Sequence, residues 1–302
     1  MSTALGSSTT ADEVLNGRDL TGKNMLITGC NAGIGFETAR SLAAHGAHVF
    51  VACRDLAKAS DTIARIRAAH PNAKLSPVAL DLSSFASIRQ AVASVNVDAL
   101  HVLICNAGLY MDKYKATAEG LESTVGVCHH GHFLLTQLLL DKLRKGAPAR
   151  VVMVSSESHR YPARLSLEHL PLSAQNFKSL VAYGQAKLSN ILFANELTRR
   201  YRAEGILANS LHPGSMIGTS IFRNSLSAKL VGLAIRPFAK SIEQGAATTV
   251  YCATSPELSD VGGKYYRDCH EHRMSRAASD ADLAKRLWDL TETFVAKHPA
   301  QA

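Results

Sequence analysis

With 302 residues, 46% of them hydrophobic, the chain can bury one large core and needs no second domain. The formal net charge of +8 is spread over dispersed basic residues and aromatic side chains make up only 6%, which excludes the basic, aromatic-studded face of a nucleic-acid binder and leaves a phosphate-bearing cofactor or an acidic membrane surface as its counterpart. Cys30, Cys53, Cys105, Cys128, Cys252 and Cys269 show no paired spacing, no apolar run nears the roughly 18 residues of a membrane span, and the first ten residues hold no leader-like segment, so a soluble protein of the reducing cytoplasm is expected.

Residues 1–19 are rich in Ser and Thr and read as a flexible N-terminal arm, with one folded domain over 20–302. From there apolar β-type runs alternate with segments of helical period, which places strands near 24–28, 47–53, 75–80, 100–105, 150–154, 206–212 and 264–266. Val49–Cys53, Val102–Cys105 and Val151–Val154 are apolar throughout instead of alternating, as strands covered on both faces must be. The rhythm predicts an α/β, doubly wound domain with a mainly parallel seven-stranded sheet and helices on both faces.

The first strand runs into Thr28-Gly-Cys-Asn-Ala-Gly-Ile-Gly35, which opens the first helix of this rhythm. Gly29, Gly33 and Gly35 allow a tight turn and close approach of a pyrophosphate, with Asn31 and Ile34 in the same turn; a plain loop is the competing reading. At the end of the second strand stands Ala52-Cys53-Arg54-Asp55. Cys53 cannot bind ribose hydroxyls, whereas Arg54 can pair with a 2'-phosphate, so NADP(H) is favoured; Asp55 keeps NAD(H) possible, and a solvated loop arginine is the alternative. Further on, a helix from near Ser179 carries Tyr183 and Lys187 four residues apart, hence on one face. An ammonium beside a phenol favours the phenolate and lowers its pKa, which suits general acid–base chemistry.

Taken in order, the glycine turn, Asp81-Leu82 after the third strand, Asn106-Ala107-Gly108 after the fourth, Ser155-Ser156 after the fifth, Tyr183-x-x-x-Lys187 and Pro213-Gly214 after the sixth resemble a short-chain dehydrogenase/reductase over 20–296. Asn16–Lys23, Val154–Arg160 and Gln244–Cys252 resemble, within that family, the retinol dehydrogenases and the dehydrogenase domain of WW-domain-containing oxidoreductases. The resemblance implies a Rossmann fold binding NADP(H) or NAD(H), Tyr183 as general acid–base, Lys187 as its pKa modifier and ribose ligand, and Ser156 as the group that orients a carbonyl. Strand alternation lets only one of Ser155 and Ser156 face the cleft, and the family pattern uses the second; a capping hydroxyl is the plainer reading. It further implies that Asp81 and Leu82 meet the adenine, that Asn106, Ala107 and Gly108 support the adenosine side, and that Pro213, Gly214 and Thr219 lie at the nicotinamide. Asp81 is also a natural helix N-cap.

The chain departs from the family pattern at Val127-Cys-His-His-Gly-His-Phe133, where Cys128 stands at the position of an asparagine of the proton relay; a thiol lacks the donors and carbonyl of a carboxamide. Thr219 also falls one residue later than the commonest spacing. Cys128, His129 and His132, and the group 269–272, have helix-compatible metal spacing, but packed histidines explain them and no metal is expected. The stretch 215–240, with Met216, Ile217, Ile221, Phe222, Leu226, Leu230, Leu233 and Phe238 among basic residues, suits the wall of a pocket for a lipophilic alcohol, ketone or aldehyde of steroid or retinoid type. Core packing and peripheral membrane contact are rival readings of it. A homodimer or homotetramer follows from the family resemblance. The competing function is an NADP(H)-binding regulatory or scaffold protein with catalysis weakened at Cys128.

Overall fold

Eight strands of the described residues form one sheet in the order β3-β2-β1-β4-β5-β6-β7-β8. They are β1 (Asn24–Thr28), β2 (His48–Cys53), β3 (Leu75–Ala79), β4 (Val102–Cys105), β5 (Ala149–Val154), β6 (Ile206–His212), β7 (Tyr265–Arg267) and β8 (His270–Glu271). The structure is a computed structural model that describes residues 5–161, 165–214 and 240–299. All neighbours pair in parallel except β7 and β8. The seven expected parallel strands are thus present, and β8 is an added antiparallel edge; the turn into it puts Asp268 and Cys269 in the left-handed region, at φ of 55° and 62°.

Side-chain alternation explains the unbroken apolar runs. Met25, Ile27, Val49 and Val51 point into one core, while Leu26 and Phe50 point into the other. Helices cover both faces: α2 (Gly33–Ala44), α3 (Leu56–Ala69), α4 (Phe85–Ser94), the single turn α5 (Ser123–Val125), α6 (His132–Lys145), α7 (Ser179–Tyr201), α8 (Ile242–Thr254) and α9 (Ala281–Ala296). The chain winds outward from β1 through β2 to β3, then returns to β4 on the other side of β1. That reversal opens a crevice at the carboxyl ends of β1 and β4, the usual ligand position in such sheets.

The expectation of a flexible arm over 1–19 is corrected for its second half. Thr10 and Glu13 form a reciprocal capping box on the short helix α1 (Ala11–Leu15), and Ala11, Val14 and Leu15 are buried. Asp12 adds an ion pair of 2.8 Å to Arg40 and accepts a 2.6 Å bond from the Ser41 hydroxyl. The Thr-x-x-Glu spacing carried this signal; composition alone hid it.

Candidate active site

Two turns are knitted together at the crevice. Gly29 has φ of +73°, and a Cβ there would stand 2.9 Å from Ala107 Cα; at Gly35 it would overlap the Gly29 carbonyl oxygen and Asn106 Nδ2. Asn106 Nδ2 donates to the carbonyls of Thr28 (2.9 Å) and Gly29 (3.3 Å), and the Thr28 hydroxyl oxygen accepts the backbone N–H groups of Asn106 (3.0 Å) and Ala107 (2.9 Å). Gly33, with φ of +58°, borders open space, and the N-cap residue of α2, Ala32, gives that helix no side-chain hydrogen bond. The first backbone donors of α2 therefore get no bond from an N-cap side chain and lie beside the open space at Gly33, which fits a dinucleotide pyrophosphate. Ile34 is buried behind the turn and Asn31 is exposed on it.

Arg54 is exposed at the end of β2, while Asp55 caps α3 through Lys58 N–H (2.8 Å) and pairs with Lys58 Nζ at 2.6 Å. The carboxylate is thus engaged in the helix start. Asp81 accepts from the Ser83 N–H (2.9 Å) and hydroxyl (2.6 Å), and Leu82 is buried beside it. The N-cap of α4 is Ser84, so the capping reading of Asp81 is corrected: its carboxylate closes the turn just before the helix.

At the carboxyl end of β5 the two serines divide their work. Ser155 is buried and its hydroxyl donates to the Lys187 carbonyl at 2.6 Å, tying α7 to the strand. Ser156 is half-buried, caps the 3-10 turn Glu157–Arg160 through Ser158 N–H (3.2 Å), and hydrogen-bonds the Tyr183 side chain. The hydroxyl that caps the turn is thus also the one beside Tyr183. Lys187 is buried, with Nζ donating to the Val154 carbonyl at 2.9 Å and lying 5.5 Å from the Tyr183 ring centroid. Asn190 Nδ2 donates to the same carbonyl at 3.3 Å. A Cβ at Gly108 would come within 3.4 Å of Lys187 Nζ and 3.5 Å of Cys128 Sγ, so the fourth strand's turn reaches the same point.

Burial pushes the Tyr183 phenol above its ordinary pKa; Lys187 and the Ser156 hydrogen bond pull it back only in part. The sequence-based expectation of a net lowering therefore holds for the Lys187 contribution but not for the whole, because desolvation of the phenolate outweighs it. Tyr110 meets the Tyr183 ring edge-on at 5.7 Å, and the Ser179 hydroxyl donates to the Asp112 carbonyl at 3.2 Å, holding the loop that carries Tyr110 against the start of α7.

Cys128 lies in a π-helical turn, Gly126–Gly131, that joins α5 to α6. Burial pushes its thiol above the usual value, so it stays neutral, and its Sγ reaches the Leu109 carbonyl at 4.0 Å. Two of the neighbouring histidines, His129 and His132, are bonded elsewhere. His132 donates from Nδ1 to the Cys128 carbonyl (3.0 Å) and accepts the Thr28 hydroxyl at Nε2 (2.9 Å), and His129 Nε2 meets the Thr291 hydroxyl at 2.9 Å. Among the described residues no three His, Cys, Asp or Glu side chains are grouped so as to hold a metal ion. Pro213 and Gly214 follow β6, Gly214 at φ of +102° with the Lys240 side chain packed over it. Thr219 and residues 215–239 of the expected substrate wall lie outside the described residues. His132 is the packed, hydrogen-bonded histidine that the sequence led one to expect; sequence reasoning gave no part here to the Thr28 hydroxyl, His159 and Gly184, whose partners Asn106, Ser275 and Tyr161 are distant in the chain. No described helix is long and apolar enough to cross a membrane.

The family model for short chain dehydrogenases matches residues 23–167. The chain is 48% identical over 295 residues to the WW domain-containing oxidoreductase of Danio rerio, covering 95% of this chain and 72% of that protein. It is 42% identical over 272 residues to retinol dehydrogenase 12 of Mus musculus, covering 89% and 85%. A crystal structure of an uncharacterized protein from Mycobacterium paratuberculosis superposes with a TM-score of 0.76 at 31% identity, covering 97% of this chain and 98% of that one.

Proposed function

The chain belongs to the short-chain dehydrogenase family, and from that premise we propose that it transfers hydride between NADP(H), with NAD(H) as the poorer alternative, and a lipophilic alcohol, ketone or aldehyde of retinoid or steroid type. The observation that carries the reading is the meeting of Ser156, Tyr183 and Lys187 at the carboxyl end of β5, beside the turn Asn106–Gly108. When bound, the nicotinamide supplies or accepts the hydride. Reduction builds negative charge on the substrate oxygen, and donors aimed at that oxygen lower the barrier. Ser156 holds the oxygen, Tyr183 gives it a proton, and the Lys187 ammonium favours the phenolate left behind. In the oxidative direction the same groups run in reverse.

Gly29, Gly33, Gly35, Asn31 and Ile34 would hold the pyrophosphate side, with Asp81, Leu82, Asn106, Ala107 and Gly108 toward the adenosine and Pro213, Gly214 and Thr219 toward the nicotinamide. The engagement of Asp55 with Lys58, and the exposure of Arg54, support a 2'-phosphate over free ribose hydroxyls. Support for a lipophilic substrate comes from the oily composition of 215–240, from Tyr110 against Tyr183, and from a relative named retinol dehydrogenase 12. The regulatory or scaffold reading rests on Cys128. Comparing kcat/KM for a retinoid alcohol, a steroid alcohol and a short alkanol decides both matters. The two large substrates should win mainly through KM, since each buried apolar Å² contributes roughly 25 cal/mol. A short alkanol equal to them would end the substrate reading, and protein that binds NADPH yet turns over none of the panel would favour the regulatory role.

A further inference from the structure

We propose that His159 is a positioning residue that sets the Ser156 hydroxyl for its work beside Tyr183; the inference rests on the oxidoreductase reading above. His159 is fully buried in the 3-10 turn that follows Ser156. The Ser156 carbonyl accepts the His159 backbone N–H at 3.0 Å and also the ring Nδ1 at 2.7 Å. A carbonyl only accepts, so Nδ1 carries the proton, and Nε2 is left with a lone pair. That lone pair accepts the backbone N–H of Ser275 at 3.3 Å. One neutral tautomer therefore satisfies both nitrogens, and burial pushes the ring's pKa below the ordinary histidine value; Arg160 and His272 add to this while the Ser156 hydrogen bond and Glu157 oppose it.

The turn is pinned by the same distant segment at further points. Tyr265, edge-on to the His159 ring at 4.9 Å, donates its hydroxyl to Glu157 at 2.9 Å, and Arg160 donates to the Arg273 carbonyl at 2.6 Å. Without the imidazole, the Ser156 carbonyl keeps only its backbone bond, and the peptide plane next to the serine side chain is held less tightly. A histidine that only filled space would gain nothing from two directed backbone bonds, one of them to Ser275, 116 residues away in sequence.

The side chains Asn and Gln separate the two bonds. Asn carries an N–H near the position of Nδ1 and can keep the Ser156 clamp, whereas Gln carries an oxygen near Nε2 and keeps only the Ser275 link. In the full chain with NADPH, His159→Gln and His159→Ala should lower kcat by about ten- to hundredfold, as small misplacements do, with cofactor Kd within about twofold; His159→Asn should stay within about threefold of the parent. Tyr183, read independently through its ¹³Cζ resonance in tyrosine-labelled protein and assigned by Tyr183→Phe, should shift in His159→Gln and His159→Ala but not in His159→Asn. Equal kcat and an unmoved resonance in all three variants would overturn the proposal, as would losses that simply follow Tm. Should His159→Ala not fold, the Asn and Gln pair decides alone. If the parent shows no turnover while the resonance pattern holds, the positioning stands and the oxidoreductase reading fails.

Discussion

Gly184 of α7 lies so close to the Tyr161 carbonyl oxygen that a Cβ on it would overlap that atom, and it would also stand 2.9 Å from the Ser158 carbonyl. The helix carrying Tyr183 and the turn following Ser156 thus touch backbone to backbone. Gly184→Ala is expected to push the turn away, costing on the order of 1–3 kcal/mol in stability and about a hundredfold in kcat. Unfolding midpoints and single-turnover rates check this; an alanine variant with the parent's kcat would show that the contact does not set the site.

Tyr183→Phe removes the transferable proton while keeping the ring that packs against Tyr110. Turnover should fall by about 10²–10⁴-fold, with NADPH affinity nearly intact. Fluorescence titration of the cofactor alongside steady-state rates separates the two effects, and unchanged turnover would remove Tyr183 from its proposed role.

Arg54→Ala should weaken NADP(H) by about ten- to hundredfold, the worth of a charge-assisted contact, and leave NAD(H) almost unaffected. Calorimetric titration with both cofactors checks it. Equal affinity of the parent for both would refute the preference.

Cys128→Asn places a carboxamide where the neutral thiol now stands, within the buried turn beside Lys187. If the relay is weakened by the thiol, kcat should rise by roughly tenfold, within the range that positioned proton transfer supplies. The larger side chain should also lower the unfolding free energy by about 1 kcal/mol. A kcat that stays level would mean that proton delivery does not pass this position.

Burial pushes His130, His132 and His212 down to about 4, and it holds His129 well below the usual histidine value. Between pH 6.5 and 4 the unfolded chain therefore binds more protons at these sites than the folded one, so stability is full above pH 6.5 and falls as pH drops through that window. The loss should be on the order of 1 kcal/mol per histidine by pH 5.5. Urea unfolding between pH 7.5 and 4.5 checks the sign, and stability that rises on acidification would contradict it.

Much of the architecture was legible in the chain because its signals are local. Continuous apolar runs marked strands covered on both sides, Gly29, Gly33 and Gly35 marked the turn at β1, and the four-residue spacing of Tyr183 and Lys187 put both on one helix face. The capping box of Thr10 and Glu13 was equally local and lay masked by a polar composition.

What only the tertiary structure decided are contacts between segments far apart in sequence. Ser155 and Ser156 differ in role because one hydroxyl meets the Lys187 carbonyl and the other Tyr183. The π-helical turn at Cys128 changes which groups face one another, so α-helical spacing could not say that His132 would bridge the Cys128 carbonyl and Thr28. The direction of the Tyr183 shift likewise depends on burial, which a neighbour four residues away does not encode. Residue order specifies which groups are available and their period along an element; packing specifies which of them lose water and which backbones touch, and at this site those two outcomes set the chemistry.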